Sequence, residues 1–165
     1  MPADDPGSVI SALADAHEAF RRPRGESEAT LDPASPERTQ LRKRCRLLEA
    51  CRILRANDGY HTSVIEMSFG AIERTLQFYV LAQSNDTIAD FQTHRYAFDR
   101  AAELGVFSRS LCDDLIELHR QNRSAAYYRN TVATDDQAEN MYQLSVEVHE
   151  FVLWHLQRTE ECECR

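Results

Sequence analysis

Turn-formers are scarce in this chain of 165 residues. It has five glycines and five prolines, and every proline falls before residue 37. A chain so poor in turn-formers beyond that point makes few turns. That favours a handful of long helices over many short strands. The prediction is an all-α protein: an up-and-down bundle of about five helices preceded by a short N-terminal helix. The length suits one domain with a proper core, since a chain of this size buries roughly two-thirds of its unfolded surface. The hydrophobic fraction of 42% excludes global disorder.

The apolar spacing places the helices. After a loose polar leader, Ser8 is a candidate cap for a helix over 8–21, with Val9, Leu13, Ala16 and Phe20 at helical intervals. Residues 22–36 form a linker rich in Pro, Gly and Ser. Ser35-Pro36-Glu37 then reads as cap, first-turn proline and dipole-compatible acid, opening a helix to about Ala56. Its apolar stripe is Leu41, Cys45, Leu48 and Cys51. Its other face is basic, with Arg38, Arg42, Lys43, Arg46, Arg52 and Arg55. That face reads as solvated, or as a meeting place for an acidic partner or RNA.

Asn57-Asp58-Gly59 ends this helix. The next runs from Thr62 or Ser63 to Ala82, with Val64, Met67, Ala71, Leu76, Tyr79 and Val80 buried. A shorter piece spans 91–104 and stops at Gly105. Ser108 or Ser110 opens another, with Leu111, Leu115, Leu118, Asn122 and Ala125 on one side. Thr134-x-x-Gln137 resembles a capping box for a last helix to about Arg158, with Met141, Leu144, Val148, Phe151 and His155 in register. The expected division is a helix and linker over 1–35, a bundle over 36–158, and an acidic Cys-containing tail over 159–165.

The net charge is −8, and Lys43 is the only lysine beside 18 arginines. Such a surface fits a salt-rich, halophilic cytoplasm, where carboxylates stay hydrated and their repulsion is screened. A GC-rich genome favouring Arg codons is the other reading. Residues 1–20 lack a basic start followed by an apolar core, and no apolar run reaches the roughly 18 residues needed to span a bilayer. The expectation is a cytoplasmic protein that avoids membranes. The five cysteines are an odd number at irregular spacings. Cys45, Cys51 and Cys112 read as small buried hydrophobes. Cys162-x-Cys164 alone cannot complete a tetrahedral zinc site, so no metal and no cofactor are expected, and the tail is expected to fray in reduced form. His149 and His155, six apart on one helix, read as ordinary bundle histidines.

The candidate site is His119-Arg120-Gln121-Asn122-Arg123-Ser124-Ala125-Ala126-Tyr127-Tyr128-Arg129. On a helix, Arg120, Arg123 and Tyr127 share a face, with His119 beside it. Guanidiniums bind phosphate through planar paired donors, and a phenol ring offers a stacking plane for a base. The bland alternative is a half-buried helix face whose Arg and Tyr stems pack while their tips stay wet.

Four segments in order carry a resemblance over about residues 36–157: SFGAIERTLQFYVLAQ, THRYAFDRAAELGVFS, RQNRSAAYY and TDDQAENMYQLSVEVHEFVLWHL. Their order, spacing and character resemble the HEPN family of small helical bundles. The resemblance implies nucleotide or RNA binding at Arg120, Asn122, Arg123, Tyr127 and Tyr128. It also implies a homodimer, and a toxin–antitoxin or defence setting with a nucleotidyltransferase partner that would modify Tyr128. Ribonucleases of that family use an Arg, four to six residues and then a His, often with a Tyr two residues on, and they cut RNA without metal. Here the pattern is degraded. Matched on Asn122, the Arg falls on Gln121, the His on Ala126 and the Tyr on Tyr128. Shifted registers run from Arg123 to Tyr128, or from Arg120 to Tyr127, and none supplies a His.

Attack by a 2′-hydroxyl needs a group that exchanges a proton near neutral pH, and His does this with a free pKa of about 6.5. The expected activity is therefore binding with weak or no cleavage. One rival is an active metal-independent ribonuclease with Arg123, Arg120 and His119 as catalytic candidates. Another is a non-catalytic dimerisation or scaffold module.

Overall fold

A computed structural model describes residues 6–29, 31–128 and 131–164, with the backbone only for 124–128. The fold is all-helical, and no strand occurs among the described residues. Six helices follow one another: α1 (Gly7–Arg21), α2 (Pro36–Arg55), α3 (His61–Gln83), α4 (His94–Leu104), α5 (Arg109–Tyr128) and α6 (Asp135–His155). No helix among them is long and apolar enough to cross a membrane.

The central element is α3. Val64, Ile72, Leu76, Phe78, Tyr79 and Val80 are all buried, although they point in several directions around it. A helix apolar on every side has to be surrounded, and α3 is packed by α2, α6 and α4, with α5 resting on α4. Each large side chain buried here contributes about 1.5–3 kcal/mol of transfer free energy. Helix α2 lies against α3 at Gly70, where an added Cβ would make ordinary van der Waals contact with Leu47 Cδ1 at 3.4 Å. Tyr79 donates its hydroxyl hydrogen to the Leu104 carbonyl at 3.1 Å, tying α3 to the end of α4.

Punctuation follows local chemistry. Pro36 stands at the start of α2, though the Ser35 side chain makes no capping bond, and α1 starts from Pro6 rather than Ser8. α4 begins at His94, later than expected, because residues 88–90 form a separate turn of 3₁₀-helix. α4 ends at Gly105 in the left-handed region with φ 86°. There Val106 N–H reaches the Ala101 carbonyl and Gly105 N–H the Ala102 carbonyl, the Schellman pattern. Thr134 and Gln137 close a reciprocal capping box on α6.

Several sequence expectations need correction. Leu111 and Leu118 are 43% and 38% exposed, and Phe151 and His155 also face out. The buried face of α6 is Ala138, Met141, Tyr142, Ser145, Val148, His149, Val152 and Leu153. Met141 and Val148 stand on this face as expected, and it continues through Val152 and Leu153 rather than Phe151 and His155. Helix α1 buries nothing, and Phe20 is 88% exposed.

The stretch after α6 does not fray. Gln157 takes a left-handed φ of 55°. Arg158 N–H then donates to the Leu153 carbonyl and Gln157 N–H to that of Trp154, a second Schellman turn. The chain reverses and runs back over α6 and α2. Arg158 holds it there through Glu37 at 2.9 Å and Glu161 at 2.7 Å.

Candidate functional site

Helix α5 carries the arginine-tyrosine stretch. Ser108 accepts a hydrogen bond from Leu111 N–H to start it. Two turns of α5 meet α3 and the first turn of α4 around a cavity of about 250 Å³ lined by Glu66, Phe69, His94, His119, Asn122 and Arg123. Thus three of the predicted residues, His119, Asn122 and Arg123, do come together. Arg120 does not join them. It points to the exposed side, where its Nε and Nη2 donate to Glu117 at 2.8 and 2.6 Å. The face shared by Arg120 and Arg123 was too coarse a reading, since 100° per residue leaves them about 60° apart. The side chains of Tyr127 and Tyr128 lie outside the described residues.

Sequence reasoning missed His94. It sits in the first turn of α4, 25 positions before His119, and its ring stands perpendicular to that of His119 with centroids 5.8 Å apart. Its Nδ1 is 2.9 Å from Glu73 Oε2 on α3, a carboxylate that fixes the ring and its tautomer. His119 also packs on Phe69, with centroids 4.8 Å apart. Burial holds the His119 pKa below the ordinary histidine value, and the neighbouring His94 and Arg123 push it the same way against the pull of Glu73. At neutral pH its imidazole is therefore an uncharged proton acceptor.

A larger groove of about 520 Å³ adjoins this cavity between α3, α5 and α6, and Phe69 and Asn122 line both. Its floor is apolar, with Ile65, Leu118, Met141 and Leu144. Its rim carries the amides of Gln121, Asn122, Gln137 and Asn140 and the Asp136 carboxylate. The partial exposure of Leu118 follows from this opening. A third cavity, about 630 Å³ against the basic face of α2, mixes Lys43, Arg46 and Arg74 with Glu28 and Glu49. Arg46 pairs with Glu28 there, and Arg55 with Glu139 farther along α2. Three cations against two carboxylates leave a net charge of only +1, so the pull on an anion is weak.

A second constellation lies at the reversed C-terminal segment, where no metal was expected. Cys164 is buried and forms a disulfide with Cys45 of α2, their Cα atoms 5.2 Å apart. The ligating atoms of Cys45, His149, Cys162 and Cys164 all lie within 4.8 Å of one another. Spacing in the sequence does not reveal the set, because Cys45 and His149 are distant in sequence from the Cys-x-Cys pair. Arg44, 1% exposed, donates through Nη1 to Cys164 Sγ at 2.9 Å. Burial draws its pKa down to about 9, and burial followed by the Arg44 charge draws His149 to about 2. His149 is therefore no ordinary bundle histidine: it is a neutral, buried ring with Nε2 3.2 Å from Cys162 Sγ.

The family model described as a domain of unknown function, DUF8154, matches residues 4–164. The chain belongs to this family. The DUF8154 match takes in α1 and the Cys-x-Cys segment as well as the bundle, so the family's extent is wider than the 36–158 unit drawn from composition. No curated protein and no solved structure matches the chain.

Proposed function

We propose that this DUF8154 domain is a HEPN-like protein that binds a nucleotide or single-stranded RNA in the cleft between α3, α4 and α5. The observation that carries the reading is the convergence of His94, His119, Asn122 and Arg123 on one cavity that opens into an apolar, amide-rimmed groove. A phosphate suits the first compartment, where Arg123 offers planar paired donors and the imidazoles add more. A base suits the second, where Phe69 and Leu118 supply an apolar bed and the amides of Gln121 and Asn140 meet its edges. Glu66, at the rim of the phosphate compartment, opposes a highly charged anion. That favours a single phosphodiester over a triphosphate.

One observation favours the ribonuclease as a second reading. The Arg-x4-6-His motif lacks its His along the chain, yet His94 stands against His119 across the cleft, oriented by Glu73. Two imidazoles, one to take the 2′-hydroxyl proton and one to protonate the leaving 5′-oxygen, beside a guanidinium, are the groups that metal-free RNA cleavage requires. The homodimer, the nucleotidyltransferase partner and a toxin–antitoxin or defence role belong to the same proposal, as does work in a salt-rich cytoplasm.

The test is fluorescence anisotropy with a short labelled single-stranded RNA, with and without EDTA, followed by gel analysis of the RNA. Binding weakened about tenfold or more by Arg123→Ala supports the binding reading. Cleavage in EDTA that falls by about 10²-fold or more in His119→Ala and His94→Ala selects the nuclease. Wild-type protein that neither binds nor cuts, at low salt and at molar KCl, leaves the scaffold module.

A further inference from the structure

We propose that Cys45, His149, Cys162 and Cys164 are the four ligands of a structural zinc(II) ion that fastens the C-terminal segment to α2 and α6. Three sulfurs and one imidazole nitrogen are a donor set that selects zinc over hard cations such as magnesium or calcium. Once the Cys45–Cys164 disulfide is reduced and its two sulfurs part, the geometry suits the ion. A tetrahedral site with Zn–S of about 2.3 Å and Zn–N of about 2.0 Å sets its sulfurs about 3.8 Å apart and sulfur to nitrogen about 3.5 Å. The four ligand atoms lie within 4.8 Å of one another, and His149 Nε2 is 3.2 Å from Cys162 Sγ. All four directions are filled by protein, so the site is a closed, structural one rather than a catalytic one with an open position.

Charge supplies an independent argument. Arg44 is buried, and among the described residues no carboxylate forms an ion pair with it, while its Nε has no hydrogen-bond partner. Glu150 attracts it only as the smallest of several influences, and a buried cation so poorly compensated is expensive. Three thiolates, a neutral imidazole and Zn²⁺ sum to −1, and Arg44 already points Nη1 at Cys164 Sγ. The pair of cluster and guanidinium is neutral. A disulfide between Cys45 and Cys164 offers Arg44 no such charge. Cys164 N–H also reaches Cys162 Sγ at 3.4 Å, a backbone donor of the sort that steadies a metal-bound thiolate. The disulfide and the ion are alternatives for the same two sulfurs, so the metal belongs to the reduced chain.

The segment that brings the two tail cysteines is held for the purpose. The left-handed turn at Gln157 reverses the chain, and Arg158, bonded to Glu37 and Glu161, fixes the short turn just before Cys162. This site lies apart from the α3–α4–α5 cleft and does not depend on what that cleft binds.

The test uses the full chain, reduced with a phosphine and stripped of metal, then titrated with zinc(II) and with cobalt(II). The expected result is one ion per chain. Cobalt should give the visible absorption of a tetrahedral centre together with thiolate-to-cobalt charge transfer. Cys162→Ser should weaken zinc binding at least about tenfold, and Arg44→Met by about 10- to 100-fold, as for a residue that supports a ligand. Cys162→Ser sits at a half-exposed position, and its helical circular dichroism reports whether it folds. Should it not fold, the wild-type cobalt spectrum decides by itself. Absence of stoichiometric uptake, a spectrum without thiolate charge transfer, or undiminished uptake by folded Cys162→Ser would overturn the proposal.

Discussion

His119 has its ring against Phe69 and its edge toward His94, so burial and a neighbouring imidazole both disfavour its cation. The expected outcome is a His119 titration, followed by NMR, centred below the ordinary 6.5. Phe69→Ala should move it upward by readmitting water, and His94→Gln should move it upward less, because burial is the larger cause. The sign for stability follows. An unfolded chain takes this proton near pH 6.5 while the folded chain resists, so His119 costs nothing above that pH and subtracts stability as pH falls through it, levelling below the folded pKa. That His119, Asn122 and Arg123 meet around one cavity was legible in the sequence, since they are neighbours on one helix. His94 was not, because spacing along one helix says nothing about the first turn of another. The stretch has no His after its arginines, and His94 lines the same cavity from a different helix.

Elements were read well where their ends have their own chemistry. Gly105, Pro36 and Thr134-x-x-Gln137 each mark a terminus by a local physical need, and each stands at one. Faces were read less well. Phe151 and His155 follow the helical interval of α6 yet face solvent, since the interval fixes a stripe and the neighbouring helix decides which flank is covered. Two substitutions probe the element ends. Thr134→Ala removes the oxygen that accepts from Gln137 N–H at 3.2 Å and should cost about 1 kcal/mol by chemical denaturation. Gln157→Gly should do the opposite. A side chain at φ 55° sits in the left-handed region that glycine enters freely, so the variant should gain about 0.5–1 kcal/mol. A loss there instead would mean that the Gln157 side chain supports the reversed segment.

At the scale of the molecule, the bundle is organised around α3, and stability concentrates there. Leu76 is fully buried, and Leu76→Ala should cost about 2–5 kcal/mol, read as an earlier urea midpoint at unchanged slope. Val9, at 66% exposed on α1, is the contrast: Val9→Ala should stay within about 0.5 kcal/mol of the parent. The all-α architecture followed from the scarcity of turn-formers. The closing of the bundle by its C-terminal segment did not, because Cys45 and Cys164 are 119 positions apart and nothing local to either announces the other.

That closure has a mechanical consequence. Helices α3 to α6 lie inside a loop whose two ends are fastened at Cys45 and Cys164. Tension applied outside the loop passes from α2 straight into the C-terminal segment and never reaches the enclosed helices. In a single-molecule pulling experiment, a chain fastened at those residues should release about 400 Å less contour length than an unfastened one, given the 119-residue separation. A disulfide would hold that shortening at any force short of breaking a covalent bond. A coordinated ion would yield at a finite force, so the rupture force would tell which of the two fastens the loop.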